Sequence, residues 1–230
     1  MNNKKNILIT GASSGIGKQI AKKLRKKYKV INLDIQENTL EGIEFYKCDL
    51  SNKQQLLKTI KKIKKKFSSL YALINNAAIF SSKPLKEQEL EQWEKIISVN
   101  LTAPYILSKE FSLLLEESFG HIINISSTRA FMSEKATEAY SASKGGITSL
   151  THALAISLPN VKVNSISPGW INTDKNYIPT VEDNLQHPCK RVGTSNDIVD
   201  MVKFLLKNRG FITASNFVID GGMTKKMIYV

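Results

Sequence analysis

The chain has 230 residues, 42% of them hydrophobic, and its 33 basic and 20 acidic residues give a formal net charge of +13. This length and hydrophobic content are those of a globular chain with a substantial core, and they exclude a disordered protein. No apolar run approaches the roughly 18 residues of a membrane span, and the N-terminus carries no signal-peptide pattern. We therefore expect a cytoplasmic protein that binds no membrane.

The cysteines and histidines give little support for a metal site. Cys48 and Cys189 form no paired motif, which fits unpaired thiols in a reducing compartment. The three histidines are scattered, at positions 121, 152 and 187. We expect no bound metal.

The basic charge could indicate a nucleic-acid partner, but only four of the 33 basic residues are arginines. Lysine is a poor reader of bases compared with arginine. The densest basic run, residues 56–67, places apolar residues at helical spacing and fills the opposite face with lysines. This pattern indicates a surface helix with a solvated lysine face, and we expect no nucleic-acid binding.

Strand-like and helix-like segments alternate along the chain, and several of the strands are apolar on both faces. The predicted strands are 6–10, 29–34, 42–50, 70–76, 120–127, 161–169 and 215–222. The predicted helices are 20–27, 56–67, 86–115 with a possible break near Pro104, 138–158 and 195–208. Residues from about 170 to 191 have no clear pattern. This alternation predicts an α/β fold with a buried parallel sheet and no domain boundary.

A glycine-rich loop, TGASSGIG at 10–17, leaves the first strand and enters a helix. That context favours a phosphate-binding loop, because a helix N-terminus offers free N–H groups and partial positive charge. Gly11 would allow the tight turn, Gly15 would let the backbone approach a pyrophosphate, and Gly17 would let the helix pack on the sheet. The spacing is GxxxGxG rather than the commoner GxGxxG.

Asp34 ends the second strand, 17 residues after Gly17, where a carboxylate would hydrogen-bond the adenosine ribose. A 2′-phosphate about 4 Å away would be repelled by roughly 4 kcal/mol per unit charge at an effective dielectric of 20. Neither Ser14 nor Ile35 supplies a compensating cation. We therefore predict NAD(H) in preference to NADP(H).

Tyr140 and Lys144, in the stretch AYSASK, lie one helical turn apart and share a helix face. A free phenol has a pKa near 10, which is poorly suited to acid–base chemistry near neutral pH. A neighbouring ammonium would lower that pKa. Taken alone, the spacing favours a chance pair on a solvated helix, so the case for a phenol tuned by a lysine depends on the rest of the chain.

These features and several further motifs resemble the short-chain dehydrogenase/reductase family in its single-domain form. The motifs occur in order along nearly the whole chain: TGASSGIG (10–17), CDL (48–50), NNAA (75–78), VN (99–100), NISS (124–127), YSASK (140–144), SPGWINT (167–173) and VIDGG (218–222). The resemblance implies one Rossmann-like domain over residues 1–230. It also implies a doubly wound parallel sheet of about seven strands, in the order 3-2-1-4-5-6-7, with helices on both faces.

The resemblance also implies the catalytic roles. Tyr140 would be the general acid/base, and Lys144 would hydrogen-bond the nicotinamide ribose while the oxidised nicotinamide adds a second positive charge. Ser127, 13 residues before Tyr140, would orient the substrate oxygen, and we prefer it to Ser126 on spacing. Asn100 would hold a water of a proton relay behind the lysine.

The same resemblance implies the cofactor contacts. They are Gly11, Ser13, Ser14, Gly15, Ile16, Gly17, Asp34, Asp49, Leu50, Asn76, Ala77, Ala78, Tyr140, Lys144, Pro168, Gly169, Ile171 and Thr173. Two positions depart from the family pattern, because Ala78 and Ala214 stand where glycine is commoner. We expect neither departure to abolish activity.

The segment 174–190 falls where the family carries its substrate lid. It is short and polar, so we expect a small or medium polar substrate. The pocket candidates are Phe80, Thr128, Trp170 and His187. The family usually assembles as homodimers or homotetramers, and the tail 221–230 could close over a neighbouring subunit.

The leading hypothesis is thus an NAD(H)-dependent alcohol dehydrogenase or carbonyl reductase. One alternative is a reductase of 3-ketoacyl groups bound to acyl-carrier protein. The acidic surface of the carrier protein would suit the lysine-rich surface of this chain. Asp34 weighs against this alternative, because such reductases generally use NADPH. A non-catalytic NAD-binding sensor is a further alternative, and the intact set of four catalytic positions weighs against that.

Overall fold

The computed structural model describes residues 4–208 and 210–227. Its strands are β1 (Asn6–Thr10), β2 (Lys29–Asp34), β3 (Glu44–Lys47), β4 (Ala72–Asn75), β5 (His121–Ile125), β6 (Lys162–Pro168), β7 (Ile171–Asn172), β8 (Gly193–Thr194) and β9 (Asn216–Ile219). Seven of them form one parallel sheet in the order β3-β2-β1-β4-β5-β6-β9. The predicted strand order is therefore confirmed, with β9 as the seventh strand.

Helices cover both faces of this sheet. They are α1 (Gly15–Leu24), α2 (Lys53–Lys66), α3 (Leu90–Ile97), α4 (Ala103–Glu117), α5 (Glu138–Ser157), α6 (Val181–Leu185) and α7 (Ser195–Lys207). One apolar cluster joins the sheet to α2, α4 and α5, and a second joins the opposite face to α1 and α7. Each buried Leu or Ile side chain contributes roughly 1.5–3 kcal/mol, so these two layers hold the strand ends in fixed positions.

The lysine-rich segment folds as the sequence predicts. Helix α2 begins after Asn52, whose side-chain oxygen accepts a hydrogen bond from the backbone N–H of Gln55 at 3.0 Å. Leu56, Ile60 and Ile63 are buried against the sheet, while the lysines of the helix face solvent.

Several element boundaries differ from the sequence prediction by a few residues, as at α1 and β3. Helix α1 begins at Gly15, not at residue 20, because the glycine loop turns directly into the first helical turn, where the N–H of Lys18 donates to the carbonyl of Ser14. Strand β3 is shorter than 42–50, because at the sheet edge only β2 is available to pair with it.

The possible break near Pro104 does not interrupt the helical region. A π-helical turn, Ser98–Thr102, joins α3 to α4 without interruption. Pro104 lacks the N–H that would donate to the carbonyl of Asn100 in an α-helix, and the wider turn accommodates the missing bond. The irregularity therefore precedes the proline and contains Asn100.

The stretch without a clear pattern holds regular structure after all. Strands β7 and β8 pair in parallel on either side of the segment 174–190, which contains α6. Thr180 and Asp183 form a capping box at the start of α6. These contacts give the segment a defined position beside the sheet.

None of the described helices is long and apolar enough to cross a membrane. Within residues 4–208 and 210–227, no group of His, Cys, Asp and Glu could hold a metal ion. Both cysteines are unpaired, with Cys48 buried and Cys189 exposed. Of the tail 221–230, residues 228–230 lie outside the described residues.

Candidate active site

The glycine loop has the backbone that its sequence predicts. Gly11 and Gly15 adopt positive φ angles of 70° and 52°, which favour glycine. A Cβ on Gly11 would lie 2.9 Å from the Cα of Ala77, and a Cβ on Gly17 would overlap the carbonyl of Gly11 and the side chain of Asn76. The loop therefore packs too closely against the end of β4 to admit larger residues at these positions.

Asn76 joins this loop to β4. Its side-chain amide donates to the carbonyl oxygens of Thr10 and Gly11, at 3.0 and 3.1 Å. The hydroxyl of Thr10 in turn accepts from the backbone N–H groups of Asn76 and Ala77, both at 3.0 Å. These bonds hold the loop at the carboxyl ends of β1 and β4.

Asp34 lies at the carboxyl end of β2 and is mostly buried. Its two carboxylate oxygens accept the backbone N–H groups of Ser13, at 2.8 Å, and Gln36, at 2.9 Å. The hydroxyl of Ser13 donates to the carbonyl of Gln36 and accepts from the side chain of Asn32. Ser13 therefore fixes the position of Asp34 from behind.

A cleft of about 550 Å³ runs along the carboxyl ends of the strands, where the strand order reverses on either side of β1. The predicted cofactor contacts line it, except Ser13 and Gly17, which support it from below. The sequence analysis did not predict several other lining residues as cofactor contacts, and these are Leu33, Ile35, Gln36, Cys48, Ile79, Lys95, Val99, Ile125 and Ser126. Cys48, Val99, Ile125 and Ser126 lie within the motifs CDL, VN and NISS, whereas the other five belong to no motif.

Tyr140 and Lys144 lie on one face of α5, with the ammonium of Lys144 5.5 Å from the centre of the phenol ring. Lys144 is buried and donates to the carbonyl of Ile125 at 2.8 Å. Burial lowers the pKa of Lys144 to about 8. The ammonium form therefore still predominates at neutral pH.

Burial raises the pKa of Tyr140, whereas a hydrogen bond with Ser127 and the charge of Arg129 act to lower it. We expected this downward effect from Lys144. In the structure it comes from Ser127 and Arg129.

Ser127 and Ser126 follow β5 and have different surroundings. The hydroxyl of Ser126 is buried, donates to the carbonyl of Lys144 at 3.0 Å and pairs with the hydroxyl of Thr148 at 3.1 Å. The hydroxyl of Ser127 accepts the backbone N–H of Arg129 at 3.1 Å and faces the cleft. This difference supports Ser127 as the substrate-orienting residue.

Asn100 is buried in the π-helical turn and does not line the cleft. Its side chain accepts the N–H of Ile79 at 2.8 Å and donates to the carbonyl of Ile79 at 2.9 Å and to the hydroxyl of Ser143 at 3.1 Å. Asn100 therefore ties the end of β4 to α5 next to Lys144. Its role in holding a relay water stays a prediction.

A second cavity, of about 380 Å³, adjoins the cleft at Ser127 and Gly169. Three of the four pocket candidates, Thr128, Trp170 and His187, line it. The fourth, Phe80, packs edge-to-face on Tyr140, with ring centres 5.2 Å apart. The sequence did not indicate the remaining lining residues, which are Arg129, Met132, Ser133, Glu134, Gln186 and Met223.

Comparisons with known proteins agree with this geometry. Residues 11–224 match the family described as Enoyl-(Acyl carrier protein) reductase. The chain belongs to the short-chain dehydrogenase/reductase family. An uncharacterized oxidoreductase of Thermotoga maritima is 41% identical, over 96% of each chain. A 3-oxoacyl-acyl-carrier-protein reductase of Buchnera aphidicola is 32% identical, over 96% of this chain and 97% of its own length.

Solved structures of the family are similar over nearly the full chain. An apo short-chain oxidoreductase from Clostridium thermocellum is 41% identical with a TM-score of 0.91, and the match covers 100% of this chain and 96% of that one. A 4-hydroxyisoleucine dehydrogenase in complex with NADH is 37% identical with a TM-score of 0.89, over 97% and 100%. ElxO with bound NADP is 29% identical with a TM-score of 0.87, over 97% and 100%.

This short-chain dehydrogenase/reductase is an NAD(P)-dependent oxidoreductase. The cleft fits such a cofactor, because it begins at a helix N-terminus behind two left-handed glycines and ends at the buried Lys144. Asp34 faces the cleft at one end, and Tyr140 faces it at the other.

Proposed function

We propose that this oxidoreductase uses NAD(H) to interconvert an alcohol and a carbonyl in a small or medium polar substrate, with Tyr140 as general acid/base. The observation that carries the proposal is the meeting point of the two cavities. There Ser127 lines both cavities, and Tyr140 lines the cleft with its ring centre 5.5 Å from the buried ammonium of Lys144.

When bound, the nicotinamide supplies or accepts the hydride. In reduction, the hydroxyl of Ser127 would donate to the carbonyl oxygen and polarise the bond. Tyr140 is protonated at neutral pH, since its pKa is raised, and would give its proton to that oxygen as the C–H bond forms. Lys144 would stabilise the resulting phenolate by its charge. Oxidation of the alcohol reverses these steps.

The direct test of catalysis is Tyr140→Phe. The variant should bind NADH within about threefold of the wild type and lose about 10³-fold or more of kcat, because general acid catalysis contributes roughly 10²–10⁴-fold. Thr128→Ser, in the neighbouring cavity wall, is a control for a small change in the pocket. A Tyr140→Phe protein that keeps its turnover would contradict the proposal.

We propose NAD(H) over NADP(H) because of Asp34. The carboxylate is held by two backbone N–H groups and faces the cleft. The nearby lysine on α1, Lys18, donates to the hydroxyl of Thr39 and does not line the cleft. The NADH complex of the 4-hydroxyisoleucine dehydrogenase supports this preference.

Nicotinamide fluorescence during titration of the purified protein with NADH and with NADPH tests the preference. NADH should bind at least about 100-fold more tightly, as expected when a carboxylate meets a 2′-phosphate. Equal binding, or tighter NADPH binding, would indicate that Lys18 leaves Thr39 and overrides Asp34.

The second candidate is reduction of 3-ketoacyl groups on acyl-carrier protein. The 32% identical reductase of Buchnera aphidicola favours it, and so does the solvated lysine face of α2, which would suit an acidic carrier. Turnover of a 3-ketoacyl thioester with NADPH, exceeding any turnover of small ketones, would establish this function instead.

We also propose that residues 1–230 form one domain, that 174–190 is the substrate lid and that the protein is a homodimer or homotetramer. Exposed apolar side chains on α4 and α5, at Tyr105, Leu113 and Ile156, support an interface there. Analytical ultracentrifugation gives the assembly state directly, and a monomer at micromolar concentration would contradict this proposal.

A further inference from the structure

Only Ser127, Gly169 and Trp170 of the residues that line the cavity of about 380 Å³ belong to the family motifs. This cavity is near the lower end of the usual size for ligand sites. Ser127 lines both this cavity and the cofactor cleft, so a substrate whose oxygen contacts Ser127 and Tyr140 would extend the rest of its atoms into the cavity. The side chains that line this cavity therefore decide which substrates are accepted.

Two of the described lining residues, Arg129 and Glu134, carry a full charge at neutral pH. Arg129 follows Ser127 by two residues in a 3₁₀ turn, and its backbone N–H donates to the hydroxyl of Ser127. This bond fixes where the arginine side chain starts. The guanidinium is close enough to Tyr140 for its charge to act on the phenol.

The ion pair between Arg129 and Glu134 is unequal. The side chain of Arg129 is only 22% exposed, whereas that of Glu134 is 73% exposed. One guanidinium nitrogen lies 2.5 Å from one carboxylate oxygen. A guanidinium has five N–H donors, and a carboxylate in the cavity could engage two of them at once. Glu134 belongs to the exposed segment 131–135 and can return to solvent at little cost.

We propose that Arg129 binds a carboxylate of the substrate in exchange for Glu134, so that the enzyme acts on small oxo acids and hydroxy acids. This inference rests on the proposed function, because it places the reacting oxygen on Ser127 and Tyr140. Arg129 determines specificity here, since it anchors the end of the molecule that does not react.

Paired substrates test the inference. Pyruvate, acetoacetate and 4-oxopentanoate place the carbonyl at increasing distances from the carboxylate, and the methyl ester of each removes the charge. We expect the wild type to reduce at least one acid with kcat/KM at least about 30-fold above that of its ester, because a charge-assisted bidentate contact is strong. If no acid exceeds its ester, the inference is overturned.

Variants assign the preference to Arg129. Arg129→Gln should raise KM for the preferred acid and lower the ratio of kcat/KM for the acid to kcat/KM for its ester by about 30- to 100-fold. Any effect of the lost charge on Tyr140 acts on both substrates alike and leaves this ratio unchanged. Arg129→Lys should recover part of the loss for the acid. Lys135→Gln removes one positive charge from the same loop, outside the cavity. It should change kcat/KM for neither the acid nor the ester. If Arg129→Gln loses kcat/KM equally for the acid and for the ester, the inference is overturned.

A binding measurement separates this inference from the proposed function. Calorimetry with pentanoate, which has no carbonyl to reduce, should show binding to the wild type and none to Arg129→Gln. Pentanoate binding of this kind without turnover of any acid or ester would contradict the proposed function and support the anion site. If the enzyme reduces the esters, prefers no acid to its ester and does not bind pentanoate, the proposed function is supported and the carboxylate site at Arg129 is overturned.

Glu134→Gln should change KM for the preferred acid in the direction opposite to Arg129→Gln. The carboxylate of Glu134 competes with the substrate for Arg129, so its removal should lower KM for the preferred acid by about three- to tenfold. A raised KM would show that Glu134 assists binding, and it would contradict the exchange of partners.

Discussion

The cofactor cleft and the substrate cavity meet at Ser127 and Gly169, but their charged groups are held in different ways. In the cleft, the carboxylate of Asp34 accepts two backbone N–H groups from a tight turn. In the cavity, the guanidinium of Arg129 pairs with the exposed side chain of Glu134. A carboxylate that accepts two backbone N–H groups has a fixed position, whereas a guanidinium that pairs with a solvated side chain can exchange that partner for another. We therefore expect the cleft to discriminate between the two cofactors and the cavity to adapt to its substrate.

The largest expected effect tests the rigid side of this comparison. Asp34→Ala should reduce the ratio of NADPH to NADH dissociation constants by about 100-fold, because the repulsion of the 2′-phosphate disappears. Asp49→Ala removes another carboxylate of the same cleft, which is bonded to Ser51. It should change the binding of both cofactors alike. An unchanged ratio in Asp34→Ala would show that Asp34 does not discriminate.

Asn100 shows how the cleft is supported from behind. Asn100→Ala removes three hydrogen bonds and leaves the N–H and carbonyl of Ile79 unpaired. We expect a loss of about 2–4 kcal/mol in the free energy of unfolding, measured with urea. Asn176→Ala, at an exposed site, should change it by less than about 0.5 kcal/mol. A loss of similar size in both variants would contradict the supporting role.

Lys144, which lines the cofactor cleft, gives the stability a pH dependence. Its pKa is about 8 in the folded protein and lies near 10.4 in an unfolded chain. Between these values the unfolded chain binds more protons, so Lys144 should make the free energy of unfolding rise with pH from about 8 to 10. Urea unfolding at pH 7.5, 8.5 and 9.5 should show this rise in the wild type relative to Lys144→Met. Parallel pH profiles would contradict a lowered pKa.

The smallest effect lies away from both sites, at one of the two departures from the family pattern. Ala214 has a φ of 58°, in the left-handed region that favours glycine. Ala214→Gly should raise the free energy of unfolding by about 0.5–1 kcal/mol, because the strain of the Cβ exceeds the added freedom of the unfolded chain. Ala153→Gly, at an exposed position within α5, should lower it by about 1 kcal/mol. If Ala214→Gly destabilises the protein as Ala153→Gly does, the backbone at Ala214 is not strained.

Much of the cleft could be predicted because its residues belong to short motifs at strand ends. Gly11, Asp34 and Asn76 lie at the carboxyl ends of adjacent strands, so the order of the strands brings them together. The π-helical turn was not predicted, because a proline in a helical pattern usually indicates a break rather than a wider turn upstream. Arg129 and Glu134 were not predicted either, because one pair of charges five residues apart has no characteristic spacing.

The amino-acid sequence by itself determined the α/β class, the glycine loop and the placement of Tyr140 and Lys144 on one helix face, because each of these depends on residues close together in the chain or on strand periodicity. The strand order came from the resemblance to the family. The tertiary structure alone decided the environment of those residues. The pKa of Tyr140 depends on burial and on Ser127 and Arg129, and the substrate cavity joins the turn after β5 to the segment between β7 and β8. Electric fields and cavity shapes depend on distances in the folded structure, and the separation of residues along the sequence does not give those distances.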